Sequence, residues 1–386
     1  MASYNSFDDP NGDLNQVLFE ANSCVLKVAL NRPEKLNCLT YGMISQMEKT
    51  LKAYESDPSV RIVILKGKGK AFCAGGDVVR VIQFVKAGHW SFGASYYRKQ
   101  LTLDYLLATY KKPLVSLING IVMGGGAGLT MHGRIRIVTE NAVFAMPEAS
   151  IGLFPDVGAS HFLSRLPGHF GEYLGLTGAR LDGAEMLACG LVTHFVLSKD
   201  LQALEDALCD VVSSDTSTIS EVINKFTHKA HIKPDSSYKR LEIINKCFSN
   251  KTVEEILLAL EIEASIGAEK WVVNAIRYMK LASPTSLKVC LRSIRQGRTL
   301  KLESCLISDY IVASHMLGRT VNADFFEGSR AMLFDKDRNP KWQPPQLEQV
   351  SEEMVDQFFA KVDDDDWQTL KLPHGRSLTN MGKPKL

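Results

Sequence analysis

The sequence predicts an α/β protein in which strands and helices alternate through the first half and helices alone fill the second. Three observations carry this. Short β-branched runs recur between residues 23 and 147, most of them closed by glycine or a turn. Segments with helical apolar spacing lie between them. From about residue 200 the strand signals stop and helical periodicity takes over. A chain of 386 residues is long for one unit. We divide it into a catalytic core at 1–200 and a helical region at 201–386.

The elements follow in order. SCVLKVALN (23–31) is a partly alternating strand, broken by RPEKLN. YGMISQMEKTLKAYESDP (41–58) is a helix with Met43, Met47, Leu51 and Tyr54 on one face and Pro58 at its end. VRIVILKG (60–67) suits a buried strand, and GGDVVRVIQFVKAG (75–88) a turn into a helix. PLVSLING (113–120) is the next strand, after which three consecutive glycines at 124–126 open another helix. RIRIVTE (134–140) and AVFAMP (142–147) are two more short strands. In the second half SKDLQALEDALCDVVSS, TVEEILLALEIEA and EKWVVNAIRYMKLAS carry apolar stripes. Ser283 reads as an N-cap with Pro284 at the first helical position. EEMVDQFFAKVDDDD (352–366) is the last helix, its acid run a solvated stop. SSDTSTIS (213–220) reads either as a linker or as a helix cap.

Composition narrows the function classes. Apolar residues make up 45% and charged residues 23%, which leaves ample material for a core. A formal net charge of +2 with basic residues scattered among acids argues against a nucleic-acid partner. No stretch reaches the ~18 apolar residues of a membrane span. The opening MASYNSFDDPNGDLN lacks both the apolar core of a signal peptide and the arginines of a mitochondrial leader. The final Pro-Lys-Leu resembles the small–basic–Leu peroxisomal address, with Pro384 in place of the usual Ser. The expected location is therefore the peroxisome, through its import receptor. The alternatives are the cytosol and a plain solvated tail. None of the eight cysteines forms a CxxC pair, which points to free thiols in a reducing compartment. Cys73 beside Gly75 and Gly76 could be a nucleophile, but no His lies near it in sequence, and packing is the preferred reading. The nine histidines show neither HxH nor HExxH, so no metal site is expected. His132, His161 and His169 read as packed or surface residues.

The chemistry concentrates in two glycine clusters and two acids. KAFCAGGD (70–77) and NGIVMGGGAG (119–128) each follow a strand. Glycines between a strand and a helix start leave backbone N–H groups unpaired and let a ligand oxygen approach. Brought together, two such loops could make an oxyanion hole, each donor worth about 3 kcal/mol in the transition state. A P-loop is excluded because no Lys-Ser/Thr follows, and dinucleotide spacing is absent as well. Glu148 follows Pro147, and Asp156 follows Pro155, among Phe144, Met146, Ile151, Leu153 and Phe154. A lone buried acid is more often paired structurally. Two of them just after a glycine loop can instead divide the work of acid, base or nucleophile. No GxSxG anchors a serine triad.

Taken together, NRPEKLN, AFCAGGD, NGIVMGGGAG and PEASIGLFPDVGAS resemble the crotonase (enoyl-CoA hydratase/isomerase) superfamily over residues 20–200. LTGARLDGAEMLACGLVTHFV (176–196), SPTSLKV (283–289) and DFFEGSRAMLFDKDRNPKW (324–342) extend the resemblance over nearly the whole chain. Within the superfamily these segments resemble the 3-hydroxyisobutyryl-CoA hydrolases of plant peroxisomal type. The resemblance implies a crotonase-like spiral of repeated ββα units with a helical C-terminal region. It implies hydrolysis of a short 3-hydroxyacyl-CoA thioester in valine catabolism, an acyl-CoA as the partner, and homo-oligomers. No cofactor is implied, since CoA belongs to the substrate.

The resemblance also assigns residues. The N–H groups of Gly76 and Gly125 would hold the thioester oxygen. Glu148 would attack the carbonyl or activate water. Asp156 would orient the 3-hydroxyl or the water, or protonate the leaving thiolate. Lys35, Leu36, Ala71 and Ala74 would lie along the CoA, and Phe154 along the acyl group. Hydratases carry a second glutamate two residues after the triple glycine, where this chain has Gly128, so water addition to a C=C is disfavoured. Isomerisation is excluded less firmly. A scaffold without chemistry would not require the two acids. Two departures bear on the acyl group: Gln100 stands where the family often has Glu, and Ala149 where Thr is commoner. A hydrolase shifted toward 3-hydroxypropionyl-CoA remains an alternative.

Overall fold

The hairpin that starts the structure, β1 (Val17–Asn22) and β2 (Val25–Leu30), pairs antiparallel and sets the edge of the larger of two sheets. The computed structural model describes residues 15–267 and 269–373. Pro384, Lys385 and Leu386, and with them the import-address reading, lie outside the described residues.

After the hairpin the chain feeds the two sheets in turn. β3 (Ile62–Gly67) joins the first sheet and β4 (Ala71–Cys73) the second. β5 (Leu114–Ile118) and β6 (Ile121–Met123) repeat the pattern, as do β7 (Ile135–Val138) and β8 (Val143–Ala145). β9 (Leu181–Asp182) closes the second sheet antiparallel to β8, and β10 (His194–Phe195) closes the first parallel to β7. The orders are β1-β2-β3-β5-β7-β10 and β4-β6-β8-β9. Two short strands followed by helical chain, three times over, is the ββα spiral that the resemblance implies.

The register explains why β3 reads as an unbroken apolar run. Ile62 and Ile64 face one side of the sheet with Val25, Val115 and Ile137, while Val63 and Leu65 join the main core on the other side. Parallel strands buried on both faces lose the alternation of half-buried ones.

The helices of the first half are α1 (Tyr41–Ser56), α2 (Val78–Ala87), α3 (Ser91–Ala108), α4 (Gly125–Gly128), α5 (Ala159–Leu163), α6 (Phe170–Thr177) and α7 (Gly183–Ala188). The helix expected after the triple glycine is only the single turn α4. The second half holds α8 (Leu201–Cys209), α9 (Thr216–Asn224), α10 (Leu241–Phe248), α11 (Val253–Ile266), α12 (Lys270–Leu281), α13 (Pro284–Gly297), α14 (Leu302–Gly318), α15 (Asp324–Ser329) and α16 (Glu352–Phe359).

α8 and α9 cover the outer face of the larger sheet through Leu204, Leu208, Ile219 and Ile223. Glu205 of α8 pairs with Lys27 at 2.9 Å and Lys66 at 2.5 Å, which ties the helix to β2 and β3. Asp215 caps α9, so the Ser/Thr cluster is a helix start. Ser283 caps α13 as expected, accepting from the Ser286 N–H. α14 packs along α3, and α13 along α5 and α6. The last helix stops at Phe359, short of the acid run. That run is docked as well as solvated: Trp90 Nε1 donates to Asp364 Oδ2 at 3.2 Å, and His89 lies 3.6 Å from the same oxygen. His89, Asp364 and Asp366 bring ligand atoms within 4.8 Å of one another at the surface, a grouping acids often make without an ion.

Candidate active site

Each glycine loop starts where a three-residue strand of the smaller sheet ends. β4 and β6 are parallel neighbours, so the loops that leave them emerge side by side. A Cβ placed on Gly75 would stand 3.7 Å from the Gly125 nitrogen, and one on Gly125 would stand 3.2 Å from the Gly76 nitrogen. Neither the Gly76 N–H nor the Gly125 N–H donates to a backbone carbonyl among the described residues. Gly124 has φ +47, a left-handed value that lets the chain turn sharply into α4. A Cβ there would come 2.7 Å from Glu148 Oε1. The bare backbone thus makes room for the acid.

The 33–39 segment completes one wall. The Ala74 N–H donates to Leu36 O at 3.0 Å, Leu39 N–H to Gly75 O at 2.8 Å, and Asp77 N–H to Leu39 O at 2.9 Å. Leu36 and Asn37 both have left-handed φ, and the Asn37 amide holds the bend by donating to Lys68 O and Ala71 O. Lys35, Leu36, Ala71, Ala74 and Gly76 therefore share one loop cluster, with Lys35 and Leu36 exposed and Ala71 buried. Phe154 is fully buried in the main core.

Glu148 opens a short 3₁₀ turn, Glu148–Ile151, and is 6% exposed; Asp156 is 5% exposed. Glu148 Oε2 has no partner among the described residues. Burial pushes the Asp156 carboxyl up to about 7. Burial, and then the Asp156 charge, hold Glu148 well above the carboxylate range. Two such acids titrate as a pair and can divide a proton between them. Cys73 is buried, donates to Asn37 O at 3.2 Å, and is raised by burial, which makes it a packed thiol rather than a nucleophile.

A pH effect follows. Asp156 is ionised only above about 7, so kcat/KM of the parent should titrate near neutrality. Asp156→Asn removes that step. It also lowers the Glu148 carboxyl by deleting its charged neighbour, so the remaining limb moves to lower pH. We expect a loss of roughly 10²-fold in kcat. A pH–rate profile of both proteins checks this, and an unaltered profile contradicts it.

Helix α3 presents Tyr97, Gln100 and Asp104 toward the site; of these only Gln100 was expected from the sequence. Gln100 Nε2 is buried without a partner and lies where a Cβ on Gly125 would stand. The Tyr97 hydroxyl is raised by burial and then by the charges of Asp156 and Glu148. Asp104 is 0% exposed and neither of its oxygens has a partner among the described residues. The spacing of three and four that puts Tyr97, Gln100 and Asp104 on one helix face was the available signal. Asp309, also 0% exposed, comes from the middle of α14, between Ser308 and Tyr310. Burial and the Asp156 charge raise both Asp104 and Asp309. At Gly128 a Cβ would stand 2.7 Å from Asp104 Oδ2 and 2.7 Å from Val157 Cβ. The space of a second hydratase glutamate is therefore already filled.

Known proteins agree with this geometry. Residues 25–359 match the enoyl-CoA hydratase/isomerase family. The chain is 56% identical to "Probable 3-hydroxyisobutyryl-CoA hydrolase 3" of Arabidopsis thaliana, over 92% of this chain and 95% of that one. It is 53% identical to 3-hydroxyisobutyryl-CoA hydrolase 1 of the same plant, over 96% and 98%. Among solved structures, a carnitinyl-CoA dehydratase from Mycobacterium thermoresistibile superposes with a TM-score of 0.83 at 33% identity, covering 93% of this chain and 99% of that one. The two glycine loops facing a buried Glu148 and the match along the chain lead to one assignment: this protein belongs to the enoyl-CoA hydratase/isomerase family, among its 3-hydroxyisobutyryl-CoA hydrolases.

Proposed function

We propose that the protein hydrolyses the thioester of a short 3-hydroxyacyl-CoA, with 3-hydroxyisobutyryl-CoA as the main substrate, releasing 3-hydroxyisobutyrate and CoA in valine catabolism. The observation that carries this is the buried Glu148 carboxyl, its Oε2 without a partner among the described residues, beside paired glycine N–H groups, with Gly128 where a second acid would be needed for hydration.

In this reading the thioester oxygen sits between the N–H groups of Gly76 and Gly125. Negative charge grows on that oxygen as the carbonyl becomes tetrahedral, and each donor is worth about 3 kcal/mol there. Glu148 either attacks the carbonyl carbon or removes a proton from an attacking water. Attack by Glu148 expels CoA thiolate and leaves a mixed anhydride, which water then cleaves to the free acid. With water as the nucleophile, the same two products form in one addition and collapse. Asp156, near neutrality in its titration, can give the departing thiolate its proton or orient the 3-hydroxyl. The Gln100 Nε2 group supplies a further donor at the same gap and favours a substrate that offers an acceptor oxygen there. Lys35 and Leu36 lie at the exposed end, where the CoA nucleotide would leave the protein.

Product analysis on 3-hydroxyisobutyryl-CoA, 3-hydroxypropionyl-CoA, crotonyl-CoA and acetyl-CoA tests the proposal. CoA release from the two 3-hydroxyacyl thioesters, faster from the first, is the expected result. Hydration or isomerisation of crotonyl-CoA without CoA release would refute it.

A further inference from the structure

We propose that His132 and Asp309 are positioning residues that grip the strained Val157–Gly158 turn from opposite sides and thereby aim the Asp156 carboxylate. The proposal rests on the reading of Asp156 as a reacting group.

The turn calls for such support. Val157 has φ +54 and Gly158 has φ +73, two left-handed residues in succession directly after Asp156. A β-branched residue takes that conformation only when its surroundings over-determine it. The turn's own closure is one bond, Ala159 N–H to Asp156 O at 2.8 Å.

Two buried side chains supply the rest. His132 Nε2 lies 2.8 Å from Val157 O. A carbonyl only accepts, so Nε2 carries the hydrogen. The His132 ring also lies where a Cβ on Gly158 would stand, 2.6 Å from Nε2, so no other residue fits at 158. From the other side, the Gly158 N–H donates to Asp309 Oδ2 at 2.7 Å. Asp309 is 0% exposed, and its Oδ1 has no partner among the described residues. Its titratable neighbours are Asp104, Asp156 and Cys305, and among the described residues no lysine or arginine opposes it. His132 faces His161, Arg136 and Arg165, and burial drives its pKa down to about 4, so the ring is neutral and acts only as a donor.

The two grips come from separate parts of the chain. His132 follows the triple glycine by one short stretch, whereas Asp309 sits on α14 in the helical region. The helix that completes the turn is thus 151 residues away from it in sequence. This gives α14 a task in the chemistry besides packing on α3.

Paired substitutions separate positioning from packing. Asp309→Asn keeps an acceptor oxygen and His132→Gln keeps an N–H at the same reach; both should hold kcat within about threefold of the parent. Asp309→Ala and His132→Phe remove the bond. Each should lower kcat for 3-hydroxyisobutyryl-CoA by roughly 30–100-fold, with KM little changed and the near-neutral limb of the pH profile displaced. The double variant should lose less than the product of the two singles, because both act on one turn. Unchanged kcat and pH profile in Asp309→Ala and His132→Phe would overturn the proposal, as would an equal loss in Asp309→Asn and Asp309→Ala. A crystal structure of Asp309→Ala gives a readout independent of activity. Val157 leaving the left-handed region supports the grip; Val157 retained near its parent φ overturns it. If the parent itself releases no CoA, the functional reading fails and the crystal readout still decides the grip.

Discussion

Glu148→Gln should abolish hydrolysis, lowering kcat by at least ~10³-fold while the protein still binds acyl-CoA. The amide keeps the shape of the side chain, so the 3₁₀ turn and the contact with Gly124 survive. What is lost is the ability to attack a carbonyl or take a proton. The variant should also be no less stable than the parent. The parent carboxyl is raised well above its ordinary value by burial and then by the Asp156 charge, so ionising it in the fold is unfavourable. For a group raised in this way, the folded state holds its proton more tightly than the unfolded chain does. Stability therefore falls as pH rises from the unfolded carboxylate range toward the folded value. An uncharged amide escapes this loss. CoA release, binding of a non-hydrolysable thioester and thermal unfolding at two pH values check the three parts. A variant that still turned over at the parent rate would remove Glu148 from the mechanism.

Gly128→Glu is the second large effect. It recreates the acid that hydratases carry after the triple glycine, yet it should yield neither hydration nor a stable fold. A Cβ at 128 would meet Asp104 Oδ2 and Val157 Cβ, both at 2.7 Å, and Asp104 Cγ at 3.0 Å. Val157 is pinned by its turn, and Asp104 is buried within α3, so neither can move aside cheaply. The new carboxylate would also join Asp104, Asp156 and Asp309, already mutually repelling, without a cation among the described residues to offset it. Overpacking plus an unpaired buried charge costs about 4 kcal/mol or more. Thermal unfolding and a crotonyl-CoA hydration assay decide the matter. A folded variant that hydrates crotonyl-CoA would show that the absence of one carboxylate alone separates the two reactions here.

These two substitutions mark what could be read at each level. The glycine loops, Glu148 and Asp156 were legible because each is a local pattern: bare backbone after a strand, or an acid stranded among apolar residues. The apolar run at Ile62–Leu65 announced a strand buried on both faces. β4 and β6 escaped notice because three residues inside a glycine motif carry no periodicity. Helix α3 escaped because it is buried on most sides while carrying polar and charged residues among its apolar ones, so its sequence shows no clean stripe. With α3 went Tyr97 and Asp104, and with α14 went Asp309.

By itself, then, the sequence determined which residues could do chemistry and what conformations their own segments take, since those depend on neighbours a few positions away. Tertiary structure decided which of them meet. The parallel pairing of β4 with β6 sets the Gly76 and Gly125 nitrogens side by side. α3 packs on α4 and brings Gln100 and Asp104 to the glycine loop, and α14, packed on α3 and α5, brings Asp309 to the Gly158 turn. The physical reason is that such contacts depend on strand register and helix packing summed over the whole core, and no local stretch of residues encodes that sum.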